Sequence, residues 1–167
     1  AQAHALRGYC YHWLVRLFAG AYNYKPDGPG VILHTEPATA TSEHLPRATV
    51  AQVYSQIISD LTFAYENVSN SNTDYITKQS AALLLARACL DMNDFSNARK
   101  YAEAAAGNVF DGSNLMSKEQ WASGFKDHNS EWLRYFNFIP SNCNIYASIP
   151  SFYWFAESME GIEYGGQ

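Results

Sequence analysis

Residues 46–106 carry the pattern that most constrains how this chain folds. In the first part of this block, apolar residues recur three and four positions apart, which is the spacing of one face of an α-helix. After a polar gap, a second apolar segment leads to a turn at residues 92–95, and alanines repeat beyond it. We therefore predict an amphipathic helix and then a tight antiparallel helix pair, an arrangement typical of stacked scaffolds. The stripe consists of Val50, Val53, Tyr54, Ile57, Ile58, Leu61, Ala64 and Tyr65, and the alanines are Ala98, Ala102 and Ala105.

Periodicity predicts four helices, at residues 1–18, 49–67, 78–92 and 95–106. The third is apolar on nearly all sides, so we expect it to be the central and most buried helix. Because such a helix needs partners on several sides, we also expect residues 1–167 alone to be unstable or to associate. The first helix has its own apolar stripe, which we expect to face the core: Ala3, Leu6, Cys10, Trp13, Leu14, Leu17 and Phe18.

Residues at the predicted helix ends fit known capping patterns. Thr49 and Gln52 have the spacing of a capping box, and Thr77 is a candidate N-cap of the third helix. Asn93 suits the left-handed backbone of the turn between the third and fourth helices. Gly20 follows the last periodic residue of the first helix, where a left-handed C-terminal cap is expected.

The pattern changes after Gly107, where aromatic residues are interspersed with Asn, Ser and Gly and few helical stripes remain. We predict an all-α chain in which residues 1–107 form the helical scaffold, with a long loop at 21–48 and a short strand at 31–33. Residues 108–167 are predicted to be an irregular, aromatic-rich segment of the same domain, and we expect short helical turns at 117–123 and 151–159.

Charge and composition exclude several classes of protein. The net charge is −5 and no basic run of five residues occurs, which argues against nucleic-acid binding. No apolar run is long enough to span a bilayer, and the first residues do not form a signal peptide. Charged residues make up only 16% of the chain and aromatic residues 15%, which favours neutral partners such as sugars or proteins.

The reactive and ionisable side chains do not form a recognisable catalytic motif, so we expect no enzymatic activity, no cofactor and no metal site. Asp91 and Asp94 flank a turn, where solvated carboxylates are expected and an acid–base pair is the alternative. Cys10 and Cys89 fall within helical patterns and are expected to be small buried side chains, with a disulfide between them as the alternative.

The strongest candidate for a binding site is the segment at residues 141–155. A sugar has an apolar face that an aromatic ring can cover and hydroxyl groups that an Asn side chain can pair as donor and acceptor. In the alternative interpretation, the rings of this segment cover one end of the helical layer. The first helix also has more rings than one stripe needs, and these belong either to a helix–helix core or to a protein-facing surface. The proposed glycan contacts are Asn142, Asn144, Tyr146, Tyr153 and Trp154.

Four segments, in order, resemble the SusD/RagB family of Bacteroidetes outer-membrane lipoproteins. These are ALRGYCYHWLVRLF at residues 5–18, PRATVAQVY continuing through IISDL at 46–61, the helix pair at 81–106 with LLAR and NDFSNA, and NSEW at 129–132. Together they cover about two thirds of the chain, so the chain resembles a fragment of such a protein.

The resemblance implies an all-α scaffold of tetratricopeptide-like hairpins, in a protein held at the outer face of the outer membrane by a lipid anchor outside this sequence. It also implies a protein that captures glycans for a SusC-like TonB-dependent transporter, with the helices facing the transporter and irregular loops holding the glycan. The alternative is a generic tetratricopeptide-type domain that binds a protein or peptide.

Overall fold

Helices form the regular structure of this chain in the computed structural model, which describes residues 1–37, 45–69, 71, 75–107, 115–122 and 133. All of these lie in one compact unit, Ala1–Tyr135. The described residues contain no strand, so the all-α prediction is confirmed for this part, while the division at residue 107 stays a prediction. The helices are α1 (Gln2–Phe18), α2 (Val50–Asn67), α3 (Lys78–Asp91), α4 (Phe95–Ala105) and α5 (Lys118–Ala122).

Helix α2 forms much of the core, as its stripe predicted. Thr49 accepts a hydrogen bond from the backbone N–H of Gln52, and the Gln52 side chain accepts one from the backbone N–H of Thr49, which confirms the capping box. Most stripe residues are fully or almost fully buried, while Ile58 and Tyr65 pack against the core from its edge. The buried residues are Val50, Val53, Tyr54, Ile57, Leu61 and Ala64, together with Asp60.

Helix α3 packs against α1, α2 and α4, which confirms the prediction of a central helix. Its Thr77 cap is also confirmed, with Ser80 completing a capping box. Burial is less complete than the sequence suggested, because Leu83 is 39% exposed and Leu90 is 54% exposed. One edge of α3 is therefore open to solvent in the described structure.

The tight turn between α3 and α4 is confirmed, since Asn93 has a φ of 60°. Helix α4 packs through Ala98 and Ala105, which are 9% and 3% exposed. The expectation that Ala102 shares this face is wrong, because Ala102 is exposed and the half-buried Tyr101 takes the intervening position. The contact face of α4 therefore consists of Ala98, Tyr101 and Ala105, with Tyr101 in the place predicted for Ala102.

Helix α1 buries the face opposite to the one predicted. Every residue of the predicted stripe is exposed, and Leu17 and Phe18 are each 65% exposed. Close approach of α2 explains the reversal, because a Cβ at Gly8 would lie only 2.9 Å from Leu61 Cγ. Polar members of the buried face have partners, as Tyr11 Oη donates to the His34 carbonyl at 3.0 Å. The buried face consists of Ala5, Gly8, Tyr11, His12 and Val15.

The end of α1 and both described cysteines bring further corrections. Ala19 is extended, with φ −133° and ψ 169°, so α1 ends without the left-handed cap predicted at Gly20. Cys89 is buried as predicted, but Cys10 lies on the outer face of α1 and is exposed. Both thiols are free, which excludes the alternative disulfide between them.

The connection between α1 and α2 closes against the start of α2. Gly30 N–H donates to the Ala48 carbonyl at 2.7 Å, and Ala48 N–H donates to the Val31 carbonyl at 2.9 Å. This pairing is an isolated bridge between Pro29 and Thr49, so the strand predicted at residues 31–33 does not form. A side chain at Gly30 would lie 2.8 Å from the Ala48 carbonyl oxygen, and glycine permits the close backbone approach.

The short helix predicted at residues 117–123 is confirmed as α5, whereas the turn predicted at 151–159 lies outside the described residues. No helix in the described part of the chain has both the length and the apolar character needed to cross a membrane.

Candidate functional site

The five predicted glycan contacts, Asn142, Asn144, Tyr146, Tyr153 and Trp154, all lie outside the described residues. Their grouping into a site therefore stays a prediction. The scaffold has two clusters of polar and charged side chains that the sequence analysis did not identify as sites, and both join α1 to a later helix.

The first cluster surrounds Asp60 of α2, whose side chain is only 1% exposed. Arg7 donates from Nε to Oδ2 at 2.7 Å and from Nη2 to Oδ1 at 2.6 Å, and His4 Nδ1 donates to Oδ1 at 2.7 Å. Burial alone would raise the pKa of Asp60, but hydrogen bonds from Arg7, Gln56 and His4 together lower it. The carboxylate is therefore ionised and fully engaged, which suits a structural role in fastening α1 to α2.

The second cluster surrounds Asp91, the last residue of α3. His12 Nε2 lies 2.8 Å from Asp91 Oδ2, the Tyr54 hydroxyl donates to the same oxygen at 3.2 Å, and Arg16 Nε lies 3.6 Å from it. The prediction of a merely solvated carboxylate at this turn is therefore incomplete. Asp94, in contrast, accepts from the Asn97 N–H and serves as the N-cap of α4.

Burial controls the protonation of this cluster. His12 is 3% exposed, and burial lowers its pKa against the smaller opposing effect of the Asp91 carboxylate. Burial also raises the pKa of Tyr54 far above its usual range, and the neighbouring Asp91 adds to that increase. At neutral pH the imidazole and the phenol of this cluster are therefore both neutral.

A cavity of about 380 Å³ lies beside the second cluster, between the end of α1 and the end of α3. Only the second cluster contributes to the cavity: Asp91, Arg16 and Tyr54 line it, whereas Asp60 does not. Its lining residues are Val15, Arg16, Ala19, Gly20, Ala21, Tyr22, Asn23, Tyr54, Leu90 and Asp91.

The lining of the cavity combines charged, amide and aromatic groups. The Asp91 side chain is 31% exposed and the Arg16 side chain 41% exposed, so both charges reach solvent. Asn23 Nδ2 donates to the Asp91 backbone carbonyl at 3.2 Å. The Tyr22 ring packs edge-on against Tyr54, with their centroids 5.2 Å apart. Such a surface can donate and accept hydrogen bonds and can also cover an apolar face.

No group of three or more His, Cys, Asp or Glu side chains in the described ranges is arranged to hold a metal ion. The polar clusters are hydrogen-bonded pairs and networks, with arginine supplying the positive charge.

The lowered pKa of His12 predicts a specific pH dependence of stability. Because the unfolded chain binds this proton near pH 6.5 and the folded chain only below that, we expect stability to decrease as the pH falls below about 6.5, by at most about 1.4 kcal/mol per pH unit. Asp60 acts in a separate window, since its lowered pKa makes stability decrease only below about pH 3.8. Urea unfolding between pH 8 and pH 4 measures the first window.

In His12→Gln we expect the free energy of unfolding to decrease less between pH 8 and pH 4 than in the wild type. His34→Gln is the matched control, because His34 is exposed, and it should keep the wild-type profile. An unchanged pH profile in His12→Gln would contradict the assignment.

Comparison with known proteins identifies the family. A sequence model of a SusD-like family, described as starch-binding and associating with the outer membrane, matches residues 1–90. The match spans α1, α2 and most of α3, and it includes the Asp60 cluster but ends one residue before Asp91. No curated protein sequence matches the chain at a significant level.

Solved structures agree with this match. A SusD superfamily protein from Bacteroides thetaiotaomicron is 32% identical over 84% of this chain, with a TM-score of 0.75. A SusD-like carbohydrate-binding protein from Bacteroides vulgatus is 29% identical over 80% of this chain, with a TM-score of 0.70. A SusD superfamily protein from Bacteroides fragilis is 31% identical over 62%, with a TM-score of 0.55.

The chain covers 31%, 29% and 25% of these three proteins, so it spans less than a third of their length. The resemblance that the sequence predicted is thus supported by a family match over more than half of the chain and by structures that share its helical arrangement. The chain belongs to the SusD-like family, which is described as starch-binding and associating with the outer membrane.

Proposed function

We propose that this protein captures oligosaccharides or polysaccharides at the cell surface for import by a SusC-like TonB-dependent transporter. The observation that supports this most is the match of residues 1–90 to the starch-binding SusD-like family. The same ligand class is supported by a solved relative that is described as a SusD-like carbohydrate-binding protein. The similarity to it covers 80% of this chain. The protein would act by binding and not by catalysis.

The glycan would be held by aromatic rings and amide side chains of the segment after Gly107. Rings of Tyr146, Tyr153 and Trp154 would cover the apolar faces of sugar units, and Asn142 and Asn144 would pair hydroxyl groups. Since sugars are well hydrated before binding, the affinity of each contact would be modest.

Partner binding is supported by the outer face of α1. Leu17 and Phe18 are each 65% exposed, and Leu6, Trp13 and Leu14 continue the same stripe with 43%, 41% and 39% exposure. An apolar helix face of this extent commonly contacts another protein surface. We assign it to the transporter-facing side of the scaffold, with a lipid anchor outside this sequence holding the protein at the outer membrane.

The alternative is a tetratricopeptide-type domain that binds a protein or peptide without any glycan. The same exposed face of α1 favours it, because an apolar helix face fits a protein partner regardless of glycan binding. Glycan affinity separates the two functions, since only the first requires it.

We expect the full-length protein to bind at least one member of a panel of soluble starch, xylan, mannan and pectin oligosaccharides, measured by isothermal titration calorimetry. In Trp154→Ala the dissociation constant should rise about tenfold, because stacking of one ring contributes roughly 1 kcal/mol or more. Trp121→Ala is the matched control, since Trp121 lies in α5 and is 63% exposed, and it should bind like the wild type.

Failure of the wild type to bind any glycan of the panel, together with the lack of a transporter gene beside its own, would overturn the proposed function. Unchanged glycan affinity in Trp154→Ala would reject only the assignment of the binding residues.

A further inference from the structure

We propose that the cavity between the end of α1 and the end of α3 is a second sugar site, which takes one neutral sugar unit of a bound glycan. This inference rests on the proposed function, which supplies the ligand class, but it places a site in the helical scaffold and away from the segment after Gly107. Arg16, Asp91, Tyr22 and Asn23 line this cavity.

The carboxylate of Asp91 is held in place from the protein interior. Two side chains that are each 3% exposed, His12 and Tyr54, bind its Oδ2, while the carboxylate itself is 31% exposed toward the cavity. A side chain fixed in this way loses little conformational entropy when a ligand binds. Asp91 is therefore a preorganised acceptor at the cavity wall.

Arg16 supplies the complementary donor. Its Nε lies 3.6 Å from Asp91 Oδ2, and its guanidinium also lies over the Trp13 ring at 5.7 Å from the centroid. Two neighbouring hydroxyl groups of a sugar can donate to the carboxylate and accept from the guanidinium at the same time. The two charges cancel, so the pair favours a neutral polyol over an anion or a cation.

The rest of the lining fits the remaining surface of a sugar ring. The Tyr22 ring and the side chain of Leu90, which is 54% exposed, offer apolar surface for C–H groups. Asn23 adds an amide that is anchored through Nδ2 to the Asp91 backbone carbonyl at 3.2 Å. Together these groups provide the three kinds of contact that sugar recognition uses: charged hydrogen bonds, an amide and apolar surface.

The size of the cavity supports a ligand role as well. A structural ion pair between two helices requires no space beside it, and the Arg7–Asp60 pair between α1 and α2 does not line this cavity. The volume of about 380 Å³ falls within the range of small-molecule sites.

The test uses the full-length protein and the oligosaccharide that binds best in the panel above. We expect Arg16→Gln and Asn23→Ala each to raise the dissociation constant, with Arg16→Gln raising it about tenfold because it removes a charge-assisted hydrogen bond. Arg99→Gln is the matched control, because Arg99 lies on α4, is 83% exposed and pairs with Glu103 of the same helix. It should bind like the wild type.

A crystal soaked with the same oligosaccharide should show a sugar unit within hydrogen-bond distance of Asp91 and Arg16. Thermal melting shows whether each variant is folded. If Arg16→Gln is unfolded, Asn23→Ala still tests the cavity site. If the wild type binds glycan while both cavity variants keep its dissociation constant, the cavity site is overturned and the proposed function stands. If the wild type binds no glycan, the cavity site is overturned, and the proposed function is overturned with it when no transporter gene lies beside its own.

Discussion

Replacement of Asp60 by alanine is expected to destabilise the fold by about 3 kcal/mol, the largest effect we expect from the loss of a polar group. Asp60 is 1% exposed and accepts hydrogen bonds from Arg7 and His4 of α1. Its removal takes away the carboxylate partner of Arg7 at the α1–α2 interface and opens a void there, although Arg7 Nη1 still donates to the Thr35 carbonyl at 2.8 Å. The effect falls at the lower end for buried ion pairs, because the Arg7 side chain is 28% exposed and can reach water.

Urea unfolding followed by circular dichroism at neutral pH measures this change. Glu103→Ala is the control, since Glu103 pairs with Arg99 four residues away on the solvent side of α4, and such an exposed pair contributes little to stability. A free energy of unfolding for Asp60→Ala equal to that of Glu103→Ala would show that the buried pair does not fasten α1 to α2.

The position of α1 matters for function because α1 contributes to both proposed surfaces. Its outer face carries Leu17 and Phe18, assigned to a protein partner, and its last turns carry Arg16 at the cavity. A variant that loosens α1 should therefore weaken glycan binding at the cavity even though Asp60 does not line it. Such an effect would appear together with a loss of stability, which separates it from the effect of Arg16→Gln.

Local rules account for what the sequence predicted correctly. The capping boxes at Thr49 and Thr77 and the left-handed Asn93 depend on residues within three or four positions of each other. The stripe of α2 is also local, because all its members lie on one helix. These features gave the bounds of α2, α3 and α4 to within one residue.

Tertiary contacts account for what it predicted wrongly. The outer face of α1 has the larger apolar side chains, but the face with Gly8 allows α2 to approach closely and is the one that is buried. The polar appearance of that face arises from Tyr11 and His12, whose partners lie 23 and 79 residues away. Hydropathy alone cannot reveal such partners, so it favoured the wrong face.

The candidate site shows the same limit. Asp60 lies on the apolar stripe of α2 between Ile57 and Leu61, and a charged residue at such a position was a signal that a partner was needed. That partner, Arg7, lies 53 residues away, and the residues around it in the sequence do not indicate that it pairs with Asp60. Asp91 looked like a turn residue because its partners come from other helices.

Substitution of Leu85 by alanine should destabilise the protein by about 3–4 kcal/mol, whereas Leu83→Ala on the same helix should cost less than about 1 kcal/mol. Leu85 is 0% exposed and belongs to the core cluster between the helices, while Leu83 is 39% exposed at the open edge of α3. Both changes remove the same atoms and have the same helix propensity, so the difference in the free energy of unfolding isolates burial.

The comparison decides which side of α3 belongs to the core, a question that its nearly uniform apolar sequence leaves open. Equal losses of stability in the two variants, measured by urea unfolding, would mean that Leu83 is covered in the folded protein in solution. In that event the edge of α3 would be an occupied interface, and we would expect it to extend toward Leu90, which is 54% exposed and lines the cavity. A large difference would instead show that the edge of α3 at Leu83 is open to solvent in the folded protein.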